Sequence, residues 1–134
     1  MRGRDEGGEL REVHQLPPRA QAVAEARELT RAALLSWRLE HLGDLATLLV
    51  SELVTNALTH ARSEMTLELT RRPDLLRVSV TDASPDSPRR RQAGLAAEGG
   101  RGLHVVAELA SGWGIEQLPS GKRVWAEIAI EPEP

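Results

Sequence analysis

A chain of 134 residues with 40% hydrophobic content can build one domain with a real core, but it is too short for two. Its 17 basic and 20 acidic residues give a net charge of −3, which argues against general nucleic-acid binding. The absence of Cys excludes a disulfide frame and a thiolate metal site, and His14, His41, His60 and His104 lack the tight spacing of a zinc site.

The opening residues MRGRDEGGEL are Gly- and charge-rich, and residues 1–11 read as a disordered tail ahead of one domain over 12–130. They also lack the apolar core of a signal peptide. No apolar run approaches the roughly 20 residues of a membrane span, so a cytoplasmic protein without membrane association is expected. Leu10 to Leu16 reads as a short edge strand closed by Pro17-Pro18. From Arg19 to about Trp37 the chain is dense in Ala, Leu, Glu and Arg, and Pro18 suits a helix start. Gly43-Asp44 then breaks and caps a second helix that runs to about Ala61. With no Phe and no Tyr, the interior must be filled by Leu, Val, Ala and the three Trp.

The second helix carries the most informative pattern. At about 100° per residue, Leu45, Leu48, Leu49, Leu53 and Ala57 form an apolar stripe, and Glu52 and Asn56 fall inside it. Positions four apart stack on one face, so both side chains project into whatever the stripe covers. Burying an unpaired carboxylate or amide costs several kcal/mol, roughly, unless partners are supplied. Capping of a loop or a buried water would satisfy such a pair, and so would a ligand or metal. Val50, Val54 and Leu58 lie on the opposite face, which points to burial on nearly all sides.

Alternation follows. Met65, Leu67 and Leu69 share one face, Arg72-Pro73-Asp74 turns the chain, and Leu76, Val78 and Val80 continue the period, predicting a hairpin. The same count places Asp82 on the core-facing side at the strand end, although an Asp before Ala-Ser-Pro also suits a turn. Ser84 to Glu98 reads as a long loop with the run Arg89-Arg90-Arg91, either a solvated face or part of a lid over polyphosphate. Gly99-Gly100-Arg101-Gly102 opens a short helix from Leu103 to Ala110. A Gly-rich helix start offers backbone N–H groups and a partial positive charge to phosphate. Strands over Trp113 to Leu118 and Arg123 to Ile130, joined at Pro119-Ser120-Gly121, close the domain before a tail over 131–134. Helices before and between antiparallel strands predict an α+β two-layer sandwich, a mostly antiparallel mixed sheet covered on one face by helices.

The order of these signals resembles the GHKL nucleotide-binding superfamily of gyrase, heat-shock chaperone, histidine-kinase and mismatch-repair ATPases. Within it, SELVTNALTHA, VTDASPDSP and GGRGLHVV look most like the small anti-sigma-factor serine/threonine kinases and their actinobacterial regulator relatives. The resemblance covers roughly residues 12 to 130 and implies the histidine-kinase-like ATPase fold with ATP and Mg²⁺ as cofactors. It implies that Glu52 orients or deprotonates the attacking hydroxyl, that Asn56 coordinates Mg²⁺, and that Asp82 accepts a hydrogen bond from the adenine amino group. Gly100 and Gly102 would let the chain wrap the phosphates, with Arg101 and Leu103 beside them in the nucleotide site.

As partners the resemblance implies an anti-sigma-factor antagonist, a sigma factor or both, and it allows a homodimer. Two positions depart from the family pattern. Ser84 stands where glycine is usual in the Asp-x-Gly block, and Arg123 stands where a threonine commonly reaches the base. Those departures keep a second expectation open: a non-catalytic or degenerate nucleotide-binding module acting by protein contact.

Overall fold

A computed structural model describes residues 2–4, 8–61, 63–83 and 101–131, with the backbone alone for 2–4, 101 and 102. Six strands form one sheet in the order β1-β2-β3-β4-β6-β5, where β1 is Arg2–Arg4, β2 Leu10–Leu16, β3 Met65–Arg72, β4 Leu75–Asp82, β5 Gly112–Leu118 and β6 Gly121–Ala129. Helices α1 (Gln21–Ser36), α2 (Gly43–His60) and α3 (Arg101–Leu109) make up the second layer. The architecture is the expected α+β sandwich. Every described strand pairing is antiparallel, so the sheet is more regular than the mixed one read from the sequence.

The expected tail contributes to that sheet. Arg2–Arg4 pair with Leu10–Glu12, and Gly8, at φ 85°, takes a left-handed conformation just before β2. Strand pairing uses backbone groups that an edge strand leaves open, whatever side chains the added segment carries. Composition therefore misled here, and β2 lies one strand in from the edge.

Helix α1 follows from its Ala, Leu, Glu and Arg content and buries Ala22, Ala26, Thr30, Ala33 and Leu34. It stops before any glycine. Arg38 adopts φ 60°, and Leu39 N–H returns to the Leu34 carbonyl at 2.8 Å, a Schellman-type ending. A 3₁₀ turn over Glu40–Leu42 then leads into α2, whose first residue is Gly43. Gly43-Asp44 is thus neither break nor cap. Asp44 instead meets Arg31 at 3.4 Å.

The buried face of α2 is broad and turned from the expected stripe. Ala46, Leu49, Val50, Leu53, Val54 and Ala57 are at most 2% exposed, Leu45 is half-buried, and Leu48 is 40% exposed. A sheet beneath and helices alongside bury more than one stripe can mark, so Val50 and Val54 count as core. Beneath them lie Leu67 and Leu69 of β3, Leu76, Val78 and Val80 of β4, and Val124, Ala126 and Ile128 of β6. Of the three Trp, only Trp37 is core. Trp125 lies half-buried on the outer sheet face with Arg77 stacked 4.4 Å above its ring, and Trp113 is 36% exposed.

Leu53→Ala should cost about 2–5 kcal/mol of stability, whereas Leu48→Ala should stay within about 0.5 kcal/mol. Urea denaturation of the two variants checks this, and equal losses would refute the placement of the buried face.

Candidate functional site

Three side chains meet where the end of β4, the start of β6 and α2 come together. Asp82 is the last residue of β4 and Lys122 the second of β6, and the ladder pairs them directly. Strand parity sets their direction. Asp82 follows Val78 and Val80 onto the helix-facing side, and Lys122 precedes Val124 and Ala126 on that same side. Asn56 arrives from α2. Lys122 Nζ lies 3.0 Å from Asp82 Oδ2 and donates to Asn56 Oδ1 at 3.3 Å. Lys122, Asp82 and Asn56 are 1%, 4% and 8% exposed.

Neither charge could be held there alone. A lone ammonium or carboxylate loses several kcal/mol, roughly, on leaving water, and an opposite charge with well-placed hydrogen bonds offsets that loss. The contact also requires β6 to start hard against the end of β4. A Cβ on Gly121 would run into the Asp82 carbonyl oxygen and lie 2.9 Å from Ala83 Cα. Gly121 read as a turn residue in the sequence. Its role is to bring two strand ends to the distance at which Lys122 reaches Asp82.

The expected site residues separate into groups. Asn56 and Asp82, widely spaced in sequence, share one buried cluster. Glu52 lies one helical turn before Asn56, half-buried, and has no hydrogen-bond or ion-pair partner among the described residues. Arg101 and Gly102 are the first residues of α3, so this helix begins two residues earlier than expected and takes in the end of the Gly-rich segment. Leu103 is 7% exposed and belongs to the hydrophobic core cluster. Ser84, the Arg89-Arg90-Arg91 run and Gly100 lie outside the described residues.

Arg123 points away from the site. Its guanidinium donates to Thr81 Oγ1 at 3.3 Å and to Glu116 Oε1 at 3.0 Å on the outer sheet face, so it does not crowd a base near Asp82. Adjacent strand residues face opposite ways, and the neighbour that enters the site is Lys122. Sequence reading missed Lys122, although two signals marked it: inward parity with Val124, Ala126 and Ile128, and its standing as the one lysine in an Arg-rich chain.

The donor set suits a magnesium nucleotide. Asn56 Oδ1 already faces a cation, the Lys122 ammonium. Among the described residues there is no cluster of three or more His, Cys, Asp or Glu able to hold a metal. A Mg²⁺ ion at Asn56 would therefore take one protein oxygen and draw its other ligands from phosphates and water, as this ion commonly does. Asp82 offers a buried carboxylate acceptor suited to an exocyclic amino group.

Lys122→Met should lower stability by roughly 3–5 kcal/mol, because it leaves Asp82 buried without its cation. Adding Asp82→Leu should recover most of that loss, since an ion pair and an apolar pair of similar volume are often close in free energy. Urea unfolding of the single and double variants measures both, and a double variant no more stable than the single would contradict the pairing.

Curated proteins yield no match to the chain. The model of the histidine kinase-like ATPase domain matches residues 16–128, from the last residue of β2 to the penultimate residue of β6. That span takes in Glu52, Asn56, Asp82 and Lys122 within the fold described above. The chain belongs to the histidine kinase-like ATPase domain family, of the GHKL type.

Proposed function

We propose that the protein is an ATP-dependent serine/threonine kinase that phosphorylates an anti-sigma-factor antagonist and sequesters a sigma factor. The observation that carries this reading is Glu52, a half-buried carboxylate without a described partner, set one helical turn from the amide at the metal position. A carboxylate engaged in holding the fold together would have its partners inside the protein. Resemblance of the three motif blocks to small anti-sigma-factor kinases supports the choice of partner.

The chemistry asked of the chain is modest. Asp82 would receive the adenine amino group, and Asn56 would hold Mg²⁺ against the phosphates. Bound magnesium would neutralise phosphate charge. Glu52 would accept the proton of an incoming serine or threonine hydroxyl while that oxygen takes the γ-phosphoryl group and ADP leaves. Phosphoryl transfer otherwise needs mainly positioning and charge neutralisation.

Lys122 favours a second reading. A buried ammonium on both Asp82 and Asn56 suits a module that binds nucleotide weakly, or has lost it, and regulates by protein contact alone. Phosphate transfer separates the two readings.

Asn56→Ala should abolish magnesium-dependent ATP binding in calorimetry. Glu52→Gln should bind Mg-ATP like the parent yet transfer labelled phosphate to the antagonist about 100- to 10,000-fold more slowly. Undiminished transfer by Glu52→Gln would rule that residue out as base. Micromolar ATP binding without transfer to any candidate antagonist would leave the contact module.

A further inference from the structure

We propose that Lys122 is a tethered plug of the nucleotide seat: in the empty protein its ammonium occupies the polar atoms that Mg-ATP uses, and the nucleotide enters by displacing it. This rests on the nucleotide-binding reading above and adds to it a built-in competitor.

The geometry carries the inference. One ammonium lies 3.0 Å from Asp82 Oδ2 and 3.3 Å from Asn56 Oδ1, bridging the residue assigned to the base and the residue assigned to the metal. Each contact copies one the ligand would make. The adenine amino group would bring positive character to the carboxylate, as the ammonium does in its ion pair with Asp82, and a metal places positive charge against an amide oxygen, as the ammonium does at Asn56. Lys122 thus imitates both ends of the ligand from a single atom.

Its backbone has little freedom to withdraw. Gly121 lies against the Asp82 carbonyl with no room for a Cβ, and Lys122 is locked in register opposite Asp82. The flexible four-carbon stem is the part that can swing. Displacement costs the protein two charge-assisted contacts, and base and metal each compensate for one of them. Either half of the ligand alone would leave part of that loss uncovered, so binding requires adenine and magnesium together.

The rival arrangement keeps Lys122 in place. A carboxylate accepts several hydrogen bonds, and Asp82 could hold the ammonium with one oxygen and adenine with the other. In that case Lys122 supports the bound state and its removal weakens binding.

Two measurements separate these arrangements. Because the chain has one lysine, labelling lysine with the magnetic nitrogen isotope gives a single side-chain ammonium resonance. In the free protein it should be visible and slow to exchange. Saturating Mg-ATP should broaden it or move it to the position of a solvated lysine. In calorimetry, Lys122→Met and Lys122→Gln should bind Mg-ATP roughly tenfold or more tightly than the parent, the fold-change of one lost charge-assisted contact. The resonance is read on the unaltered protein, so it stands if a variant fails to fold. Tighter binding by a folded variant, or binding by a variant when the parent shows none, supports the plug. If the parent binds Mg-ATP while the resonance stays put, or if the variants bind equally or more weakly, the plug is overturned and the nucleotide reading survives. If neither parent nor folded variants bind ATP, the nucleotide reading fails and the plug falls with it.

Discussion

A single ion pair, Asp82 with Lys122, is the interaction on which the reading of this protein depends. It lies at the end of the β4–β6 ladder, where two strands deliver opposite charges to the same side of the sheet. The core beside it is largely Leu, Val, Ala and Met, with Met65 directly opposite Asp82 on β3. Within the pair each charge offsets part of the other's desolvation, and Asn56 adds its amide oxygen. Such a pair is a poor means of stabilising a fold, since well-packed apolar residues do as well or better. Its presence in a largely apolar layer fits the proposal that a ligand uses the same atoms.

The fold places that cluster by simple means. Strand alternation aims Asp82 and Lys122, the close approach permitted at Gly121 sets their spacing, and helical periodicity sets Asn56 above them with Glu52 one turn away. Glu52 and Asn56 differ in what they meet. Asn56 is buried against a cation, while Glu52 is left half-exposed without a described partner. One is suited to holding a ligand and the other to reacting with something that arrives. This division follows from the breadth of the buried face of α2, which covers Asn56 and stops at Glu52.

Strand parity was the most legible part of the sequence. It gave the β3–β4 hairpin and the inward turn of Asp82, and it would have given Lys122 had the same count been run back from Val124. The helical stripe was legible only in part. A periodic count assumes one buried face, and α2 packs on the sheet, on α1 and on α3, which exposes Leu48 and buries Val50 and Val54. Composition misled twice, at the Gly-rich N-terminus and at the tryptophans. Backbone pairing draws in Arg2–Arg4 regardless of their charge, and an aromatic ring lies as readily on an outer sheet face under an arginine as in a core. The Asp82–Lys122–Asn56 contact was out of reach for a different reason. It joins residues far apart in sequence, and only strand register and a glycine's missing Cβ bring them together.

The central claim is that this buried cluster is the seat of an adenine nucleotide. Calorimetric titration of the intact protein with ATP and with GTP, each with magnesium, tests it most directly. Asp82 should accept from the amino group of adenine and should oppose the carbonyl oxygen that guanine carries at the same ring position. The account expects ATP to bind in the micromolar range and GTP far more weakly. Equal affinity for the two nucleotides, or heat from neither in the parent and in folded Lys122→Met alike, would contradict it.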